Sequence, residues 1–189
     1  MDAFKRRKVR YRLISGQPGF DPKKTEEELK KESKVKLSTY SLILTLIVTA
    51  VLIGAVALLL WNGENKGFIV AILLFFALLS GWLYGPVSIA ANDKNVIIKS
   101  LMRRQRLPIS KIQSVELFQP TMGSIRIFAS GGYMGYWGIF REGDIGRYVG
   151  YYGKASDCFL IRMRNGDKYV LGCENPTEMV NFINSKIQS

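Results

Sequence analysis

Two cysteines, several basic clusters and one glycine–aromatic segment are the residues here whose types and spacing could do chemistry. Cys158 and Cys173 flank Asn165-Gly166, the dipeptide that favours a two-residue hairpin turn. Such a turn sets Arg164 opposite Asp167, Ile161 opposite Val170, Phe159 opposite Gly172 and Cys158 opposite Cys173. Paired Cα atoms lie about 4.5–5.5 Å apart, which permits a disulfide. In a reducing cytoplasm the pair reads first as two half-buried thiols, with a redox switch as the alternative. The chain has no His, so two sulfurs make a poor metal site and acid–base catalysis lacks its commonest carrier. There is no P-loop, nucleophile elbow or carboxylate pair at a telling spacing, and Glu116, Glu142, Asp157 and Asp167 read as turn or surface charges. We therefore expect no enzyme, no cofactor and no metal.

The basic residues are unevenly placed among the 189, where 27 Lys+Arg face 15 Asp+Glu. Lys5, Arg6, Arg7, Lys8, Arg10 and Arg12 form a cluster interleaved with Phe4, Val9, Tyr11 and Leu13. Beside a bilayer each would attract anionic headgroups by about 1 kcal/mol. A pure topology-setting role is the plainer alternative, and nucleic acid is the least favoured one. A second group, Lys99, Arg103, Arg104 and Arg106 (with Lys111 nearby), is the other candidate for lipid contact.

What positions these groups is a pair of apolar runs, 41–61 and 68–86, neither of which contains Asp, Glu, Lys or Arg. A helix of about 20 residues crosses the hydrocarbon of a bilayer, so helices at 39–61 and 68–86 would form a transmembrane hairpin closed by the six residues 62–67. Lys and Arg crowd both outer flanks, whereas the connector has only Lys66. The positive-inside bias then places both termini in the cytoplasm, with Tyr40, Trp61, Trp82 and Tyr84 as interfacial aromatics. A signal peptide is not expected, because a long charged stretch precedes a run too long for an h-region. With no ionisable residue inside, the hairpin reads as an anchor rather than a transport path. Ala50 with Gly54 and Ala77 with Gly81 have the spacing of close helix packing.

The division is a basic tail at 1–38, the hairpin at 39–86 and a cytoplasmic domain at 87–189. In the tail, 25–36 reads as a charged helix, with Thr25 and Glu28 as a capping box and the i,i+4 pairs Glu26–Lys30, Glu27–Lys31 and Glu32–Lys36. Beyond residue 86, short alternating runs at 87–90, 96–98, 114–118, 124–128, 158–164 and 167–173 read as antiparallel strands. Asn92-Asp93-Lys94-Asn95 reads as a turn. Asn175, Pro176 and Glu178 then open a helix whose Met179, Val180, Ile183 and Ile187 form an apolar stripe. Residues 131–153 hold eight glycines interleaved with Tyr133, Tyr136, Trp137, Phe140, Tyr148, Tyr151 and Tyr152. Bent strands packed by aromatics explain this pattern. A recognition surface for a lipid or peptide, built on Tyr133, Tyr136, Trp137, Phe140 and Tyr148, is the alternative.

The stretch Arg126-Ile127-Phe128-Ala129-Ser130-Gly131-Gly132-Tyr133-Met134-Gly135-Tyr136-Trp137-Gly138-Ile139-Phe140 resembles the glycine–aromatic core of a bacterial pleckstrin-homology-like (PH-like) family. Ile145-Gly146-Arg147-Tyr148, Asn165-Gly166-Asp167-Lys168-Tyr169-Val170 and Asn175-Pro176 extend the resemblance over residues 87–188. It implies a bent antiparallel barrel of about seven strands capped by the C-terminal helix, and members often carry membrane helices. It carries no mechanism. The expected function is thus a PH-like scaffold at the bacterial inner membrane that binds a protein partner or self-assembles, with anionic-lipid sensing as the alternative.

Overall fold

The computed structural model describes residues 31–61, 65–121 and 123–188. The cluster Lys5–Arg12, the capping box at Thr25 and the tip of the helix connector lie outside them. Helix α1 (Thr39–Trp61) and helix α2 (Asn65–Tyr84) form from the two apolar runs. Strand β1 (Lys31–Lys34) precedes them; β2 (Pro86–Ala91), β3 (Asn95–Ser100) and β4 (Arg104–Pro108) follow. These four make one antiparallel sheet in the order β1-β2-β3-β4. A second sheet contains β5 (Ile112–Leu117), β6 (Ile125–Gly132), β7 (Gly135–Glu142), β8 (Gly146–Tyr152), β9 (Cys158–Met163) and β10 (Lys168–Gly172) in the order β5-β9-β10-β8-β7-β6. Helix α3 (Pro176–Ile187) closes the chain.

The mainly-β reading holds, with two corrections to the barrel. The described residues form ten strands in two sheets rather than about seven in one. One pairing, β10 with β8, is parallel. It arises because the β9–β10 hairpin folds back so that β10 enters between β9 and β8.

Strand β1 is the larger surprise. Its Glu and Lys residues have helical i,i+4 spacing, yet Lys31 to Lys34 pair antiparallel with Ala91 to Ser88. Lys31 bonds Glu178 at 2.5 Å, and Glu32 takes Lys99 at 2.7 Å and the Ser88 hydroxyl at 2.7 Å. A few tenths of a kcal/mol per helical ion pair cannot compete with a full set of ladder hydrogen bonds on an otherwise open sheet edge. Past β1 the chain stays against the strands: Val35 N–H donates to Val87 O of the same sheet, and Ser38 N–H to Gly153 O at the end of β8 in the second sheet. The segments before α1 and after α2 are therefore neighbours in one sheet.

The main core lies between the sheets under α3. Ile89, Val96 and Ile98 from the first sheet meet Phe159, Ile161 and Leu171 from the second, with Met179, Val180 and Ile183 of the helix over them. Asn175 takes the N-cap position of α3, although its side chain makes no capping hydrogen bond. A second cluster on the other face of β9 and β10 holds Phe140, Ile145, Tyr148, Tyr152, Cys158, Leu160 and Val170.

The β9–β10 register is slipped by one residue from the sequence expectation. Leu171 faces Phe159 and Gly172 faces Cys158. The loop contains three residues, not two: Gly166 N–H donates to Met163 O, and Met163 N–H to Asp167 O. Gly166 takes φ +89, so a β-turn is followed by a left-handed glycine, the three-residue alternative to the type I′ turn. A slip of one residue moves a side chain to the opposite face. Cys158 accordingly joins the second cluster and Cys173 the first, and both are free and buried. The two thiols are not a cross-strand pair.

Candidate membrane-facing site

On the face of the first sheet away from the main core, register partners form rows across its strands, in which Ser88 and Ala90 are buried and the flanking charged residues are more open. One row runs Lys34, Ser88, Lys99, Arg104, and the next runs Glu32, Ala90, Ile97, Arg106. Arg103, Arg104 and Arg106 are exposed, on or beside the edge strand β4. Lys99 is different. Both Glu32 carboxylate oxygens hold its ammonium, at 2.7 and 2.8 Å, so its charge is largely spoken for.

The β3–β4 turn puts this edge against α2. Met102 N–H donates to Leu83 O at 3.2 Å, and the Ser100 hydroxyl donates to Tyr84 O at 3.1 Å. A helix ends with carbonyls that lack intrahelical donors, and here the turn supplies them. Leu101 and Met102 project from it, each 69% exposed. Two bare apolar side chains, followed at once by two arginines, are thus pinned to the end of an apolar helix. The sequence reading singled out the arginines and missed Leu101 and Met102, although two apolar residues leading a basic run inside a turn were visible.

The glycine–aromatic segment is where the β-domain meets the helices. Its β6–β7 tip lies against both helices. The Tyr133 hydroxyl donates to Leu78 O at 3.1 Å, and Met134 N–H donates to the Thr45 hydroxyl at 2.9 Å, which itself donates to Ser41 O. Met134 takes a left-handed φ of +53, a strained position for a residue with a side chain. Gly81 faces the Tyr133 ring so closely that any Cβ would overlap it, whereas Gly54 has nothing within 4 Å. Gly81 thus serves the β-domain and not the expected helix–helix contact. Of the five aromatics proposed for recognition, Phe140 and Tyr148 are buried and stack at 5.5 Å. Tyr136 stacks on Tyr152 at 4.9 Å, and Trp137 on Tyr84 at 6.1 Å. These rings are packing residues that bind the domain together and to its helices.

Burial sets the chemistry of the remaining titratable groups. It pushes the thiols of Cys158 and Cys173 up, Asp157 adding to the effect at Cys158. Such thiols are poor nucleophiles near neutral pH. Burial likewise raises Tyr148 and Tyr152. A cavity of about 710 Å³ beside the start of α1 is lined by Lys36, Lys154, Asp157 and Glu174 among others. Charges of both signs line it, and Lys154 already pairs with Asp157 at 3.7 Å.

Residues 87–187 match a family model described as Bacterial PH domain. The chain belongs to that family. No curated protein and no solved structure matches it significantly. PH domains are in general non-catalytic modules that bind proteins or lipids. In this member the matched range covers β2 through α3, and β1, contributed from before the helices, widens the first sheet by one strand. Among the described residues one helix, α1, is long and apolar enough to cross a membrane; the apolar part of α2, Phe68–Tyr84, is shorter.

Proposed function

We propose that this bacterial PH domain is an interaction module anchored in the inner membrane by α1 and α2, with the β-domain and both chain ends on the cytoplasmic side. The observation that carries the reading is the β1–β2 pairing, which brackets an apolar helix pair with two neighbouring strands. At a rise of 1.5 Å per residue, the 23 residues of α1 extend about 34 Å, enough for a hydrocarbon core of about 30 Å, and the apolar part of α2, Phe68–Tyr84, extends about 26 Å. Leu46, Val51, Ile53 and Leu58 of α1, with Ile69, Leu73, Phe75 and Phe76 of α2, are all exposed. In water such a surface would aggregate; in lipid it is solvated. The domain partition then becomes a tail to residue 30, the helix pair, and a β-domain that includes residues 31–38.

Within this reading the β3–β4 turn rests on the bilayer, and Arg103, Arg104 and Arg106 contact anionic headgroups, with the tail cluster Lys5–Arg12 adding to them. Each arginine near the surface contributes about 1 kcal/mol. The test is an environment-sensitive fluorophore on Met102→Cys in the full chain, reconstituted in neutral and in anionic nanodiscs; the buried native thiols stay unlabelled. Emission should shift further to the blue in anionic lipid, and Arg103→Ala with Arg104→Ala should remove the difference. Equal emission in the two lipids would end the lipid-contact reading. The anchor is tested separately: the chain should resist alkaline extraction from membranes and yield only to detergent.

A further inference from the structure

Strand β6 is an edge of the second sheet: β7 pairs with one side of it and nothing among the described residues pairs with the other. Its first four residues, Ile125, Arg126, Ile127 and Phe128, are all exposed, Phe128 to 81% and Ile125 to 64%. A bulge between Arg126 and Phe128 leaves Ile127 without a cross-strand partner. Next to this edge, Ile125 faces Arg141, and Arg141 faces Arg147. Arg141 and Arg147 share the face of Ile125, whereas Arg126 lies on the other face with its guanidinium against Gly131; all three are exposed, and none has an ion pair among the described residues. Like charges directly opposed across strands are destabilising. The nearby Glu142 does not relieve them; it is buried and accepts Thr121 N–H at 2.8 Å.

An apolar, unpaired edge of high β-propensity normally carries a blocking device or has a partner; here one bulge and Arg126 interrupt the edge but leave Ile125 and Phe128 bare. From these features we infer that the β6 edge docks an extended segment of a partner protein, apolar at alternate positions and acidic between them, which adds to the sheet as an antiparallel strand. The inference rests on the interaction-module reading but not on the lipid contact. Two other occupants fit less well. Hydrocarbon cannot satisfy the free N–H and C=O groups of an open sheet edge, and Ile125 lies seven residues, about 23 Å of strand, from the tip that touches the helices. A second copy would bring two sets of these arginines together in a chain whose formal net charge is already +12.

The test uses the full chain in nanodiscs and three synthetic fluorescent peptides: one alternating Glu with Ile, its Lys-for-Glu counterpart, and the Glu peptide with a central Pro that removes a ladder donor. Anisotropy should show the Glu peptide binding at least tenfold more tightly than the other two. Arg141→Glu with Arg147→Glu, on one face of the sheet, should invert the preference toward the Lys peptide, a gain that a misfolded variant could not produce. Equal binding of the Glu and Lys peptides, undiminished binding of the Pro peptide, or no binding of the Glu peptide would overturn the inference. So would a photo-crosslinker at Phe128 that captured lipid or a second copy of the chain in native membranes. Because nanodisc incorporation is scored first, loss of the anchor and loss of the docking edge are read separately.

Discussion

Substituting Gly81 by alanine separates the account of the helix–domain contact from ordinary helix energetics, because the two predict opposite signs. In a helix interior, Gly to Ala gains about 0.8–1.0 kcal/mol. At Gly81 the new Cβ would overlap the Tyr133 ring. The ring must swing away and take its hydroxyl off Leu78 O. Losing that hydrogen bond costs about 0.5–1.5 kcal/mol, and re-exposing part of the ring costs about 1–2 kcal/mol more. The helix gain is the same whether the tip is docked or not, so docking of the β6–β7 tip should weaken by about 1.5–3.5 kcal/mol, roughly a 10–400-fold rise in its undocked population. Amide hydrogen exchange over residues 130–136 in the reconstituted full chain would read this directly, with Met134, bonded to Thr45, as the key reporter. Gly54→Ala is the control: nothing lies within 4 Å of that site, so exchange in the same segment should stay as in the parent. If Gly81→Ala left exchange at Met134 unchanged, or slowed it, the tip would not be held as described here.

Three further outcomes are expected. Thr45→Val keeps the shape of the side chain but removes the acceptor for Met134 N–H, and should destabilise the docked tip by about 1–3 kcal/mol, seen as faster exchange at Met134 with α1 intact by circular dichroism. Mild oxidation of the folded chain should leave two free thiols and no intramolecular disulfide, because Cys158 and Cys173 point to opposite faces; thiol counting after unfolding checks this. Alkaline stability should fall in two stages. Burial raises both thiols above 9.0 and Tyr148 and Tyr152 above 10.0 in the folded chain, whereas the unfolded chain ionises at those ordinary values. The folded state thus holds protons that the unfolded state releases, so stability is complete below pH 9.0 and declines above it. A denaturant midpoint followed across that range should drop first near the thiol value and again past the tyrosine value, with Cys158→Ala weakening the first drop.

What the sequence made legible was the part of the fold that depends on local pattern. The two apolar runs became α1 and α2, the alternating runs became strands, and Met179, Val180 and Ile183 became the buried stripe of α3. Asn92 made its turn, accepting the N–H groups of Lys94 and Asn95. The failures were all non-local. Lys31–Lys34 carries helical charge spacing, and its strand state comes from a partner more than fifty residues away. Asn165-Gly166 signalled the hairpin correctly, but whether the turn uses two residues or three is decided by packing on both faces of β9 and β10, and that choice separated the cysteines. The arginine-rich 104–108 carries no strand signal, because an edge strand needs no apolar alternation on its open face. At the candidate site the arginines were legible as charge beside a membrane segment. That Leu101 and Met102 share their tip, and that Gly81 belongs to Tyr133, could be seen only once the turn and the β6–β7 hairpin were folded against the helices.

The central claim is that one sheet brackets the helix pair, holding both flanks and the PH domain at a single membrane face. Oxidative cross-linking of Lys34→Cys with Ser88→Cys in native membranes tests it most directly, since these residues are register partners across β1 and β2, with Cβ atoms expected about 4.5–5.5 Å apart. The account predicts a rapid intramolecular disulfide that forms within one chain at any expression level. No cross-link under conditions that oxidise exposed thiols, or a cross-link only between chains, would contradict it.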